Sequence, residues 1–228
     1  MKIIILAAGI GSRLGNPFPK PLTPLEDGKS IMQRQIDNLT SFFHIDDIFI
    51  VVGFKKDMIM ENFPDVGYIY NEKFDRTNTA KSLLKGLKKF PNEDILWLNG
   101  DVVFDKNVLK EILPNIQRSQ SFCCVNNLSV GKEEVKYQTN EKGYIKEISK
   151  SVENAIGEAV GINFISKNDS KIFKNNLIKC KDNDYFEKGL EFSIVNDNVK
   201  IKPVNISEFM CMEVDFKSDL KKVNELLN

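Results

Sequence analysis

Lys2-Ile3-Ile4-Ile5-Leu6-Ala7-Ala8-Gly9-Ile10-Gly11-Ser12-Arg13-Leu14 is a continuous apolar run that breaks into glycines and then a cation. A run with no polar alternation is the pattern of a strand buried on both faces, as in a parallel sheet covered by helices. Lys2 to Ala7 is therefore read as the first strand. In open parallel sheets ligands bind beyond the carboxyl ends of the strands. Leu6, Ala7, Ala8, Gly9, Gly11, Ser12 and Arg13 thus fall at a candidate ligand site, with Gly9 and Gly11 expected to supply positive φ for an anion nest. Leu14 occupies the place of the third glycine of a dinucleotide fingerprint, and GxxxxGK[ST] is absent, so neither dinucleotide-fold nor P-loop binding is indicated.

Working outward, Lys20 lies between Pro19 and Pro21 and adds a second cation to the same long loop. Ser30-x-x-Gln33 reads as a capping box ahead of a helix whose apolar face carries Met32, Ile36, Leu39 and Phe43. His44 is expected at the carboxyl end of that helix, in a structural role. Further strands are predicted at 48–52, 68–70 and 95–98, and helices at 56–62 and 78–89. The last of these strands closes on Asn99-Gly100-Asp101, with Asp105 as the expected cap of a helix over 106–112. This alternation predicts an α/β protein with a doubly wound, mostly parallel (mixed) sheet.

After Pro114 the pattern turns richer in strands: 122–125, a hairpin of 134–138 with 144–149, and 158–165. Two helical stretches follow between 167 and 195, then strands at 199–204 and 210–214 and a helix over 217–227. Without a linker or repeat, the expectation is one domain over 1–228, residues 1–120 forming an α/β half and 121–228 a half with a small β-rich substrate lobe.

Composition narrows the chemistry. Thirty-two basic residues balance 32 acidic ones, giving no bulk field for nucleic acid or an anionic membrane. No apolar run approaches the length of a membrane span, and Ile3 to Ala8 is too short for a secretory signal, so a cytoplasmic location is expected. His44 is the sole histidine, which excludes HExxH zinc sites and histidine cages. Cys123, Cys124, Cys180 and Cys211 form no CxxC pair and are expected to be reduced.

The string LAAGIGSRL followed by PKPL resembles the signature of the nucleotidylyltransferases that activate sugar-1-phosphates and choline phosphate. The likeness continues through Ile50-Val51-Val52-Gly53-Phe54. It then takes in Asn71, Thr77-Asn78-Thr79, Ser82, Asn99-Gly100-Asp101, Gly157 to Ile162 and Met212-Glu213-Val214-Asp215. The segment from Asn71 to Ser82 is similar to the cytidylyltransferases for choline phosphate and aminoethylphosphonate.

The resemblance implies a Rossmann-like nucleotidyltransferase fold and a Mg²⁺-dependent reaction of CTP with a phosphorylated small molecule, releasing pyrophosphate. Under it Arg13, Lys20 and Lys150 are the catalytic cations, and Asp101 and Asp215 hold the metal. Leu6, Ala7, Ala8, Gly9, Gly11, Ser12, Asn71, Thr77, Asn78, Ser82 and Gly100 surround the nucleotide. Glu158, Tyr185 and Phe186 are assigned to the acceptor, the two aromatics as walls for a quaternary ammonium group. Phosphocholine, a phosphorylated amino acid or amine such as phosphoglutamine, aminoethylphosphonate and a sugar-1-phosphate all stay open as acceptors, in the setting of surface-polysaccharide precursor synthesis. The alternatives are a sugar-1-phosphate nucleotidylyltransferase using UTP, GTP or dTTP, and a catalytically silent nucleotide-binding regulator. A glycosyltransferase is disfavoured because Asn99 stands where its DxD pair would begin.

Overall fold

The structure is a computed structural model describing residues 1–128, 130–131 and 134–227. Its centre is β1 (Lys2–Ala7), flanked in parallel by β2 (Ile48–Val52) and β4 (Ile95–Asn99), with β3 (Gly67–Tyr70) parallel to β2. Ile3, Ile5 and Ala7 point into one apolar layer and Ile4, Leu6 and Ala8 into the other, which is why no polar alternation interrupts the strand. Helices α1 (Ile31–Thr40), α2 (Lys56–Asn62) and α4 (Asn107–Gln117) contribute to the first layer, and α3 (Thr79–Lys89) to the second.

The second half extends the same sheet. Strand β9 (Gly157–Ile165) runs antiparallel between β4 and β6 (Phe122–Asn126), and β10 (Lys202–Asn205) pairs in parallel with β6. The resulting order is β10-β6-β9-β4-β1-β2-β3, with the hairpin of β7 (Lys136–Thr139) and β8 (Ile145–Ser149) attached through β7 to β9. Helices α5 (Lys167–Lys179) and α6 (Phe186–Asp197) cover the second face, where Trp97 stacks on Phe173 at 5.4 Å and meets Phe186 edge-on at 5.5 Å. A small antiparallel pair, β5 (Val102–Phe104) with β11 (Cys211–Glu213), lies beside α7 (Lys217–Leu227).

Because the chain moves from β1 outward to β3 and then returns to β4, β1 and β4 form the switch point where a crevice opens at the strand ends. Local differences from the sequence reading are few. Strand β5 was not anticipated, since three residues after a turn carry no periodicity. Helix α4 continues through Pro114 to Gln117 rather than stopping near residue 112. Ser30 Oγ accepts from the Gln33 N–H, but the Gln33 side chain donates to Asp37 at 2.7 Å, so only half of the capping box forms. His44 is exposed and caps the following 3₁₀ turn by accepting from the Asp46 N–H, so it does not close α1. The four cysteines are all free.

Candidate active site

A cleft of about 320 Å³ opens at the ends of β1 and β4. Its floor is set by backbone contacts between the two strand ends: the Gly100 N–H donates to the Leu6 carbonyl at 2.9 Å, where a Cβ on residue 100 would come 2.8 Å from that oxygen. The 99–102 turn is held from behind by Gln35, 1% exposed, whose amide donates to the Asn99 and Val102 carbonyls at 2.9 and 2.7 Å. Beyond β1 the chain makes a 3₁₀ turn at Ser12–Leu14 between Gly11 and Gly15, both at positive φ. Gly9 is not at positive φ, so of the two glycines expected in the nest only Gly11 has that conformation. Gly11 is further required because a Cβ there would meet Lys20 Cβ at 2.7 Å.

Lys20 is buried at the centre. Its Nζ donates to Asp101 and to Asp215, each at 2.5 Å, and Arg13 Nη1 donates to the other oxygen of Asp215 at 2.7 Å. Burial alone would depress the Lys20 ammonium, but Asp101 and Asp215 outweigh it and hold its pKa above the usual lysine value. For Asp215 burial acts upward and is outweighed by Lys20 and Arg13, so its pKa is lowered. Asp215 does not cap α7; the Asp219 carboxylate does, accepting from the Asp215 and Phe216 N–H groups. Asp105 accepts from the Asn107 N–H as expected, leaving Asp101 to the cleft.

Lys150 and three glutamates, Glu134, Glu187 and Glu213, also line the cleft. Lys150 Nζ lies 5.2 Å over the Tyr185 ring. Burial pushes Glu187 up to about 7. Burial and then the Asp101 charge push Glu213 up to about 8, although Asn99 donates to it at 2.9 Å. Burial likewise raises Glu134, with the Glu158 and Asp215 charges adding to it.

Of the residues singled out from sequence, Leu6, Ala7, Gly9, Gly11, Ser12, Arg13, Lys20, Asn78, Gly100, Asp101, Lys150, Tyr185 and Asp215 line this cleft. The others do not. Ala8 is buried and its carbonyl accepts from the Phe54 N–H. Asn71, 1% exposed, donates to Thr77 Oγ1 and Ser82 Oγ at 3.0 Å each, so these three form a bracket behind the cleft rather than a surface on it. The Glu158 carboxylate accepts from the Gly131 N–H, and Phe186 is 1% exposed in the core against Trp97, which removes it as an aromatic wall. Sequence reasoning missed Gln35, Asn99, Glu134, Glu187 and Glu213. Only Glu213 carried a signal, since in Glu213-Val214-Asp215 strand alternation puts it on the face of Asp215.

A family model, the MobA-like NTP transferase domain, matches residues 3–160. The chain belongs to this family. Bifunctional protein GlmU of Methanococcus maripaludis strain C5 is 34% identical over 173 residues, which are 73% of this chain and 38% of that protein. This MobA-like chain thus spans under two fifths of that relative's length. CMP-5'-(3-aminopropyl)phosphonate synthase of Streptomyces rubellomurinus is 31% identical over 121 residues, 49% of this chain and 19% of that one. Among solved structures, the inositol-1-phosphate CTP transferase from T. maritima superposes with TM-score 0.81 at 19% identity, covering 99% of this chain and 94% of that one. The CTP:phosphocholine cytidylyltransferase from Streptococcus pneumoniae gives 0.78 at 21%, covering 100% and 99%. At these identities the superpositions establish the fold: this MobA-like transferase has the Rossmann-like α/β architecture expected from its sequence. Among the described residues no helix is long and apolar enough to cross a membrane.

Proposed function

We propose that the chain transfers a cytidylyl group from CTP to a phosphorylated small-molecule acceptor and releases pyrophosphate. The observation that carries this reading is Lys20, held 2.5 Å from both Asp101 and Asp215 at the β1–β4 switch point. Bringing two polyanions together is the difficulty of the reaction, and the answer is positioning with charge compensation. Arg13 and Lys20 face the triphosphate, and Lys150 faces the acceptor phosphate. Leu6, Ala7, Gly9, Gly11, Ser12, Asn78 and Gly100 form the wall against which the nucleotide lies. An acceptor phosphate with its second pKa near about 6 is already ionised at neutral pH, so no general base is required. That suits a cleft with no histidine among its lining residues.

Mg²⁺ fits the donor set. It takes one or two carboxylates and completes its shell with water and phosphate oxygens, and two hard oxygen donors converge on one point here. Among the described residues no group of three or more His, Cys, Asp or Glu is placed to hold a metal, which such shared coordination does not need. Asp101 and Asp215 would hold the ion, which when bound supplies charge neutralisation at the phosphates. Lys20, set between those two carboxylates, would offer its ammonium to the triphosphate.

The preference for CTP is supported by the two CTP-using structural neighbours and by the CMP-aminopropylphosphonate synthase relative. Pyrophosphate release with CTP and Mg²⁺ over phosphocholine, phosphoethanolamine, 2-aminoethylphosphonate and glucose-1-phosphate tests it. Turnover of glucose-1-phosphate with UTP, GTP or dTTP but not CTP would replace this reading with a sugar-1-phosphate nucleotidylyltransferase. The absence of pyrophosphate release with every pair would leave a nucleotide-binding regulator.

A further inference from the structure

Past Lys150 the cleft becomes acidic, and one of its carboxylates is anomalous. Glu187 is the second residue of α6, a position where a carboxylate favoured by the helix N-terminus ordinarily sits in water. Here it is 8% exposed, it lines the cleft, and its Oε2 has no hydrogen-bond partner among the described residues. No lysine or arginine is within ion-pair distance of it among those residues; the cation that acts on it is Lys150, whose Nζ rests over Tyr185. A buried carboxylate oxygen left unmatched is costly, and one facing a ligand cleft is matched when the ligand brings a donor.

The surroundings restrict what that donor is. Recognition of a quaternary ammonium uses aromatic faces, but Phe186 is turned into the core and Tyr185 is the aromatic left facing the cleft. A quaternary ammonium also has no N–H to give to an orphaned oxygen, whereas a primary ammonium has three. A sugar hydroxyl donates but carries no charge, so it does not favour the ionised form of the buried Glu187 as an ammonium does. The backbone next to Glu187 is anchored: the Phe186 N–H donates to Thr79 Oγ1 at 3.0 Å, tying the start of α6 to the start of α3.

We propose that Glu187 receives a primary ammonium on the acceptor, so that the enzyme selects amino-phosphates or aminophosphonates over phosphocholine and sugar phosphates. This rests on the cytidylyltransferase reading above and adds the acceptor class to it. The test measures kcat/KM by pyrophosphate release with CTP and Mg²⁺, for 2-aminoethylphosphonate and phosphoethanolamine against phosphocholine and glucose-1-phosphate, in wild type and Glu187→Gln. At least one amine is expected to exceed phosphocholine and glucose-1-phosphate by tenfold or more, and Glu187→Gln to collapse that ratio by tenfold or more. The proposal is overturned if phosphocholine or glucose-1-phosphate matches the amines, if neither amine turns over, or if Glu187→Gln lowers all acceptors alike. A thermal-unfolding shift with CTP and Mg²⁺ separates the two levels. Its presence with the wrong acceptor preference removes only the Glu187 assignment; its absence in wild type removes the transferase reading and this one with it.

Discussion

The two sides of the cleft treat charge in opposite ways. At the β1–β4 end, Arg13, Lys20, Asp101 and Asp215 are mutually paired at 2.5 to 2.7 Å, so the protein itself completes the network. At the α6 end, Lys150, Glu134 and Glu187 form no ion pair among the described residues, and Glu187 keeps an unmatched buried oxygen. A paired network is pre-organised and exchanges partners when substrate arrives; an unpaired one waits for charge that the ligand supplies. The first kind of site suits a common triphosphate and the second suits a discriminating acceptor pocket.

The largest effect is expected at the paired end. Lys20→Ala should lower turnover by about 10²- to 10³-fold, the scale of losing one stabilising donor in a transition state, while thermal unfolding shows a retained fold. Near-wild-type pyrophosphate release would remove Lys20 from the reaction.

At the unpaired end the main effect is on stability. Glu187 is raised in the folded state to about 7 from 4.5, so between those values the folded protein holds a proton that the unfolded chain has lost. Stability from this group is therefore full below about pH 4.5, falls as pH rises to about 7, and stays low above. Glu187→Gln abolishes the loss and should stabilise by about 3 kcal/mol at pH 8 and by almost nothing at pH 4.5. Equal unfolding midpoints for the two proteins at pH 8 would contradict the burial argument.

A smaller effect sharpens the contrast between cleft and bracket. Asn71→Ala leaves Thr77 and Ser82 without their shared donor and should cost about 1–3 kcal/mol, with KM for CTP within about twofold. A tenfold rise in KM at unaltered stability would put Asn71 on the nucleotide after all. Gly11→Ala should destabilise by about 1–2 kcal/mol through its positive φ and lower turnover by displacing Lys20, which a thermal melt and a turnover assay report separately.

The paired end was largely legible in the sequence because its determinants are local. A buried strand running into glycines, a lysine between prolines and an aspartate after an apolar strand each announce themselves within a few residues. The α6 end was legible only in Lys150 and Tyr185. Glu187 looks like any carboxylate in a helix's first turn, and nothing local in the sequence announces that it is buried. Phe186 was misplaced for the same reason, since a Tyr-Phe pair does not say which ring faces the core. Asn71, Thr77 and Ser82, expected around the nucleotide, come together in the fold, but their polar atoms satisfy one another inside the protein.

The most direct test of the central claim is thermal unfolding in the presence of CTP, UTP, GTP, ATP or dTTP, each with and without Mg²⁺. A nucleotide at about 100 times its Kd adds about 2.7 kcal/mol, a rise of several degrees for a chain of this size. The account predicts a Mg²⁺-dependent shift selective for CTP, lost in Asp101→Asn and Asp215→Asn. A shift of equal size with every nucleotide, or one that survives both substitutions, would contradict it.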